Sequence, residues 1–188
     1  MVKYTNMNST VVSVIGNRSF DYENESISSL SAIISSGSTN KLTKCQYAVT
    51  TMDSRIQDLL NTKILNDTRI LTTASLHKKY VFFDRVDELP TFPFLKGQKD
   101  SVSSCSEQLL SLLLAVWLEY KKIYLFAYDI EDLEERANLI SVLANNPHAE
   151  IVYVRKPNPN KIFLFDSYDN MSIIDYKEFD EIANDGKK

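Results

Sequence analysis

The residues that could do chemistry in this chain collect where its apolar runs stop. Val11–Ile15 ends in Gly16-Asn17-Arg18-Ser19, and the run Ala32-Ile33-Ile34 leads into a polar stretch containing Gly37, Ser38, Thr39 and Asn40. Tyr47–Thr50 is followed by Thr51-Met52-Asp53, Lys122–Phe126 closes at Asp129, and Ser103-Ser104 precede a leucine-rich segment. Small residues at such places let backbone N–H groups approach a phosphate, while Ser, Thr and Asn side chains donate to it or to a ribose hydroxyl. The same residue types also build turns and helix caps, so no single position separates the two roles. Arg18 offers a guanidinium that either pairs bidentately with a phosphate or forms a surface ion pair. The nucleotide-binding candidates are therefore Gly16, Asn17, Arg18, Ser19, Ser38, Asn40, Ser103, Ser104 and Asp129.

Other chemistries find less material. The chain has two histidines. His148, in Asn145-Asn146-Pro147-His148, is the weak candidate for a catalytic base, with no neighbour in sequence to orient it. His77, among Lys78 and Lys79, reads as a solvated loop residue. Asp129, Glu131, Asp132, Glu134 and Glu135 suit the positive end of a helix dipole without a metal, so no metal site is expected. Cys45 and Cys105 form neither a C-x-x-C pair nor a disulfide framework and read as buried thiols. There is no G-x-S-x-G elbow, Walker loop or H-E-x-x-H motif.

The elements that must position these residues follow from hydrophobic period. Val11–Ile15, residues 32–34, Tyr47–Thr50, Arg69–Leu71, Tyr80–Phe83, Lys122–Phe126, Ile151–Val154 and Ile162–Phe165 read as strands, with a short helical turn around 26–30. Asp53 caps a helix with apolar Ile56, Leu59, Leu60 and Ile64. Residues 84–104, with Pro90, Pro93 and Gly97, read as a long loop, and the Lys156–Asn160 stretch as a turn. Glu107–Glu119 is apolar nearly all round and must be a core helix packing Leu110, Leu113, Leu114 and Trp117 on the sheet. Glu131–Leu143 is amphipathic with an acidic start, and a closing strand and helix fall within 161–183.

Strands alternating with helices of about a dozen residues imply an α/β, Rossmann-like domain spanning 1–188, with a mainly parallel sheet and helices on both faces. Ligands of such sheets bind beyond the carboxyl ends of the strands, near the point where strand order reverses. With 188 residues, 21 Lys+Arg against 25 Asp+Glu and a net charge of -4, the composition is that of one globular domain without the basic surplus of a general nucleic-acid binder. No apolar run reaches the roughly 18 residues of a membrane span, and the start lacks a signal-peptide core, so a cytoplasmic protein is expected.

In series, Gly16-Asn17-Arg18-Ser19, Asn40, Asp53, Ser103-Ser104 and Lys122–Asp129 resemble the layout of bacterial and phage sialyltransferase-like glycosyltransferases of Rossmann-like fold. The resemblance covers about residues 11–130 and is most specific over 103–129. It implies a nucleotide or nucleotide-sugar ligand and sugar transfer from that donor, in the host cytoplasm for a phage-encoded member. Three positions depart from the family pattern: Arg18 stands at its second glycine, Ser104 at the glycine of its Ser-Gly, and Ala127 at the glycine of its Gly-x-Asp. Each adds bulk where a ligand would lie. The expectation is thus a phage-type relative, non-catalytic or weakly active, that binds a nucleotide, a protein partner or a second copy of itself; the alternative is an active glycosyltransferase.

Overall fold

A computed structural model describes residues 10–16, 27, 31–36, 45–62, 67–92, 102, 105–156 and 167–185. Eight strands, β1 (Val11–Ile15), β2 (Ala32–Ser36), β3 (Tyr47–Val49), β4 (Arg69–Thr72), β5 (Val86–Glu88), β6 (Lys122–Phe126), β7 (Glu150–Arg155) and β8 (Met171–Asp175), form one sheet in the order β5-β4-β3-β2-β1-β6-β7-β8. Every neighbouring pair is parallel. The described helices are α1 (Asp53–Asn61), α2 (Ala74–Lys79), α3 (Glu107–Trp117), α4 (Leu133–Asn145) and α5 (Tyr176–Asp185). This is the Rossmann-like α/β architecture, and strand order reverses between β1 and β6.

Strand parity sends alternate side chains to the two faces. Val12 and Val14 of β1 join Ile123 and Leu125 of β6 beneath α3 and α4. Ile15 joins Tyr124 and Phe126 on the opposite face, where α1 and α5 contribute Ile56, Leu59, Phe179 and Ala183. Phe179 meets the rings of both Tyr124 and Phe126 edge-on, at centroid distances of 5.0 and 4.9 Å, the arrangement ring quadrupoles favour. The central strands β1, β2 and β6, buried over nearly their whole length, are the short and mainly apolar runs such burial demands.

Helix α3 is the most buried of these helices, with Leu109 to Ala115 all in the core. Its start is fixed by Ser106, whose hydroxyl accepts the Leu109 N–H at 3.1 Å. Its end is fixed at Glu119, which adopts a left-handed φ of 62°, the usual way a helix releases its last carbonyls. Trp117 does not pack fully on the sheet as the pattern implied, because it sits on the last turn and stays 37% exposed.

Several sequence expectations change. Tyr80–Phe83 is no strand but the turn joining α2 to β5; the intervening polar stretch forms α2, and Val81, Phe82 and Phe83 are exposed. His77 consequently lies on a helix, near the Glu88 carboxylate, rather than in a loop. The supposed long loop contains the edge strand β5, too short at three residues to show a period, as well as buried Leu89 and Phe92. Asp53 opens α1 without capping it: Met52 occupies the cap position, and the Asp53 carboxylate instead accepts bonds from Lys79 Nζ and Tyr80 OH at 2.7 and 2.9 Å. Cys45 is buried, but Cys105 is only partly so. The turn around 26–30 apart from Ile27, the Ile64 position, residues 157–160 and the strand at 162–165 lie outside the described residues. Among the described residues, no helix is long and apolar enough to cross a membrane.

Candidate functional site

Parallel strands put all their carboxyl ends on one edge of the sheet; Ile27, between β1 and β2, packs on the face of α1 and α5, whereas α4, which follows β6, packs on the other. Gly16 follows β1 directly, and its N–H donates to Phe126 O at 2.8 Å. A Cβ on Gly16 would stand 2.5 Å from Ala127 O and 2.9 Å from Tyr128 Cα. Only glycine fits there, because the neighbours are backbone and cannot swing away. Ala127 itself turns at φ 51°, a conformation that costs an L-residue roughly 1–2 kcal/mol. Gly16, leaving β1, is thus in close backbone contact with the turn after β6 at the point of reversal.

Asp129 lies at the same edge, engaged in local structure. Its N–H donates to Gln108 Oε1 at 3.0 Å, and its Oδ1 accepts the N–H groups of Glu131 and Asp132 at 3.2 and 3.3 Å. Asp132 then caps α4, accepting from Glu134 and Glu135. Two successive aspartates therefore turn the chain from β6 into α4, satisfying helix-start donors. Tyr128, between them and Gly16, is fully buried; burial holds its phenol well above the ordinary range, and the Glu135 carboxylate beside it acts the same way.

A second polar cluster on this edge was not anticipated from the sequence. Glu107, the first residue of α3, is buried, and its carboxylate accepts Thr50 Oγ1 at 2.7 Å, the Thr51 N–H at 2.9 Å and an N–H of Arg55. Arg55 stands in the first turn of α1, so this carboxylate ties α3 to the exit of β3. Gln108 does the equivalent toward β6 through Asp129. The signal in the sequence is Glu107-Gln108 opening a helix apolar all round: polar groups on such a helix are buried and need partners. One register position beyond the Val49–Leu71 pair, Thr72 neighbours Thr50, and its Oγ1 is buried with no partner among the described residues.

Of the candidate residues, the structure brings Gly16 and Asp129 to one edge. Asn17, Arg18, Ser19, Ser38, Asn40, Ser103 and Ser104 lie outside the described residues. His148 sits in the turn before β7, at the amino edge. His77 lies beside Glu88 at 3.8 Å, on the edge strand; with β4, β3 and β2 intervening, it is roughly 19 Å from the reversal at 4.8 Å per strand. Neither histidine is near Gly16. Among the described residues, no three His, Cys, Asp or Glu side chains cluster as metal ligands do.

No family model matches the chain, and no curated protein matches it. Among solved structures, it is similar to the sialyltransferase CstII from Campylobacter jejuni, described in complex with a substrate analogue, cytidine-5'-monophosphate. The two are 17% identical over 87% of this chain and 88% of that one, with a TM-score of 0.49. At that level of likeness no residue role or ligand passes from one protein to the other.

Proposed function

We propose that the chain binds a nucleotide or nucleotide-sugar at the carboxyl edge of its sheet, over the reversal between β1 and β6, and turns it over slowly or not at all. The observation that carries this reading is the all-parallel sheet with a single reversal, at which Gly16 at the end of β1 meets the turn after β6. Crevices of this kind are where open α/β sheets take ligands. Asn17, Arg18 and Ser19 follow Gly16 in the chain, and Ser38 and Asn40 follow β2, so by sequence position they are the donors this ligand would meet. With both histidines away from Gly16, sugar transfer here would need another side chain, such as a carboxylate, as its general base.

The test is thermal unfolding with CMP, UDP, GDP, ADP and their sugar derivatives, followed by calorimetric titration of any hit. A ligand at about 100 times its dissociation constant stabilises the fold by about 2.7 kcal/mol. Failure of every nucleotide to shift the transition refutes the reading. Rapid release of nucleotide from a donor sugar replaces it with the glycosyltransferase alternative. Arg18→Gly gives the sign of that side chain's role: tighter binding if it obstructs the phosphate, weaker binding if it pairs with it.

A further inference from the structure

We propose that Arg55 is an anion-binding residue of the carboxyl edge, held by Glu107 so that its remaining N–H donors take a phosphate or carboxylate of the ligand. The proposal deepens the nucleotide reading and rests on it.

Three observations on the two side chains support it. The Glu107 side chain is 6% exposed, whereas that of Arg55 is 31% exposed. The carboxylate is already well supplied, because Thr50 Oγ1 and the Thr51 N–H share one oxygen while Arg55 reaches the other. Among the described residues, Arg55 therefore spends one terminal nitrogen on its partner and keeps both solvent access and further donors in a rigid fork, the geometry that matches phosphate and carboxylate oxygens.

Among the described residues, Glu107 alone engages Arg55. Asp53, two residues earlier, is a nearby carboxylate that could compete for it. Its Oδ1 is taken by Lys79 and Tyr80, and its Oδ2 accepts from Gln57 at 3.3 Å. The hydroxyl of Thr72, beside Thr50, is buried with no partner among the described residues, and a buried hydroxyl favours a polar group against it because leaving it unpaired is costly. α1 starts at the exit of β3, two strands from β1, so a ligand seated at the reversal and extending along the edge would meet this corner.

The experiment compares wild type with Arg55→Lys and with the double variant Arg55→Met/Glu107→Gln. The double variant keeps acceptors for Thr50 and Thr51 and leaves no buried charge unpaired, and its thermal transition checks folding. Calorimetry is run with CMP, UDP, GDP and ADP, with the matching nucleosides, and with inorganic pyrophosphate. The expected result is a loss of roughly tenfold or more in affinity for the phosphorylated ligands in both variants, with nucleoside affinity unchanged. Equal effects on nucleotide and nucleoside, or none on either, overturn the proposal. Should wild type bind no nucleotide, the nucleotide reading falls by itself. Pyrophosphate binding lost in both variants would then still support Arg55 as an anion site, and its absence in wild type would overturn that too.

Discussion

Two apolar segments of this chain meet opposite fates. Helix α3 carries seven consecutive leucine, serine and alanine residues, Leu109–Ala115, and is buried from Glu107 to Ala115, the polar Glu107, Gln108 and Ser111 included. The Tyr80–Phe83 segment is as apolar, yet Val81, Phe82 and Phe83 are exposed, Phe82 to 92%. The difference is topological. α3 crosses behind β1, β2 and β3 on its way to β6 and has sheet beneath it. Tyr80–Phe83 rounds the amino edge between a short helix and the outermost strand, where there is no second layer. Tyr80 alone turns inward, and it does so with its hydroxyl on Asp53. Apolar content creates the demand for burial, and position in the fold decides whether it is met.

The contrast can be broken most forcefully in α3. Leu113→Ala is expected to cost about 2–5 kcal/mol, read by urea denaturation, since the side chain is buried in the core against the sheet. A loss of under about 0.5 kcal/mol, the range of surface substitutions, would remove α3 from the core.

Glu107→Ala tests the polar end of the same helix. It strips partners from the Thr50 hydroxyl and Thr51 N–H and is expected to cost about 1–3 kcal/mol, less than a fully buried pair because Arg55 can turn to water. Glu107→Gln should recover part of that loss in the same assay.

Alkaline titration sharpens the comparison further. Burial raises the phenols of Tyr128, Tyr124, Tyr120 and Tyr47. Their contribution is present in full below the unfolded tyrosine value near 10 and is lost as pH rises from there through the folded values. The transition temperature should fall steeply above about pH 10, and Tyr128→Phe should flatten that fall. An unchanged slope in the variant would show that the Tyr128 phenol is not shielded in the folded state.

The exposed segment should respond least. Phe82→Ser is expected to change stability by less than about 0.5 kcal/mol. Its neighbour Asp53 is held below the usual carboxylate range by Lys79 and Tyr80. That contribution is present above the unfolded carboxylate value near 4 and lost as pH falls through the lowered folded one. Asp53→Asn should therefore match wild type more closely at pH 3 than at pH 7 in thermal unfolding, and an equal difference at both would sever the link between Asp53 and the Tyr80 turn.

The sequence by itself determined the elements with strong period or strong burial: β1, β2, β4, β6, β7, α3 and α4, and with them the parallel α/β class. Local pattern suffices there because a strand covered on both faces, or a helix buried all round, leaves its requirement in every residue. It determined too that Gly16 and Asp129 belong to strand exits. The tertiary structure alone decided where strand order reverses, that β5 is a strand, that both histidines stand away from Gly16, and that Glu107 meets Arg55. Those facts depend on pairings across tens of residues. Gly16 shows the reason most plainly, since it is required by the Ala127 carbonyl, a group more than a hundred positions away that enters its neighbourhood only when β1 and β6 pair.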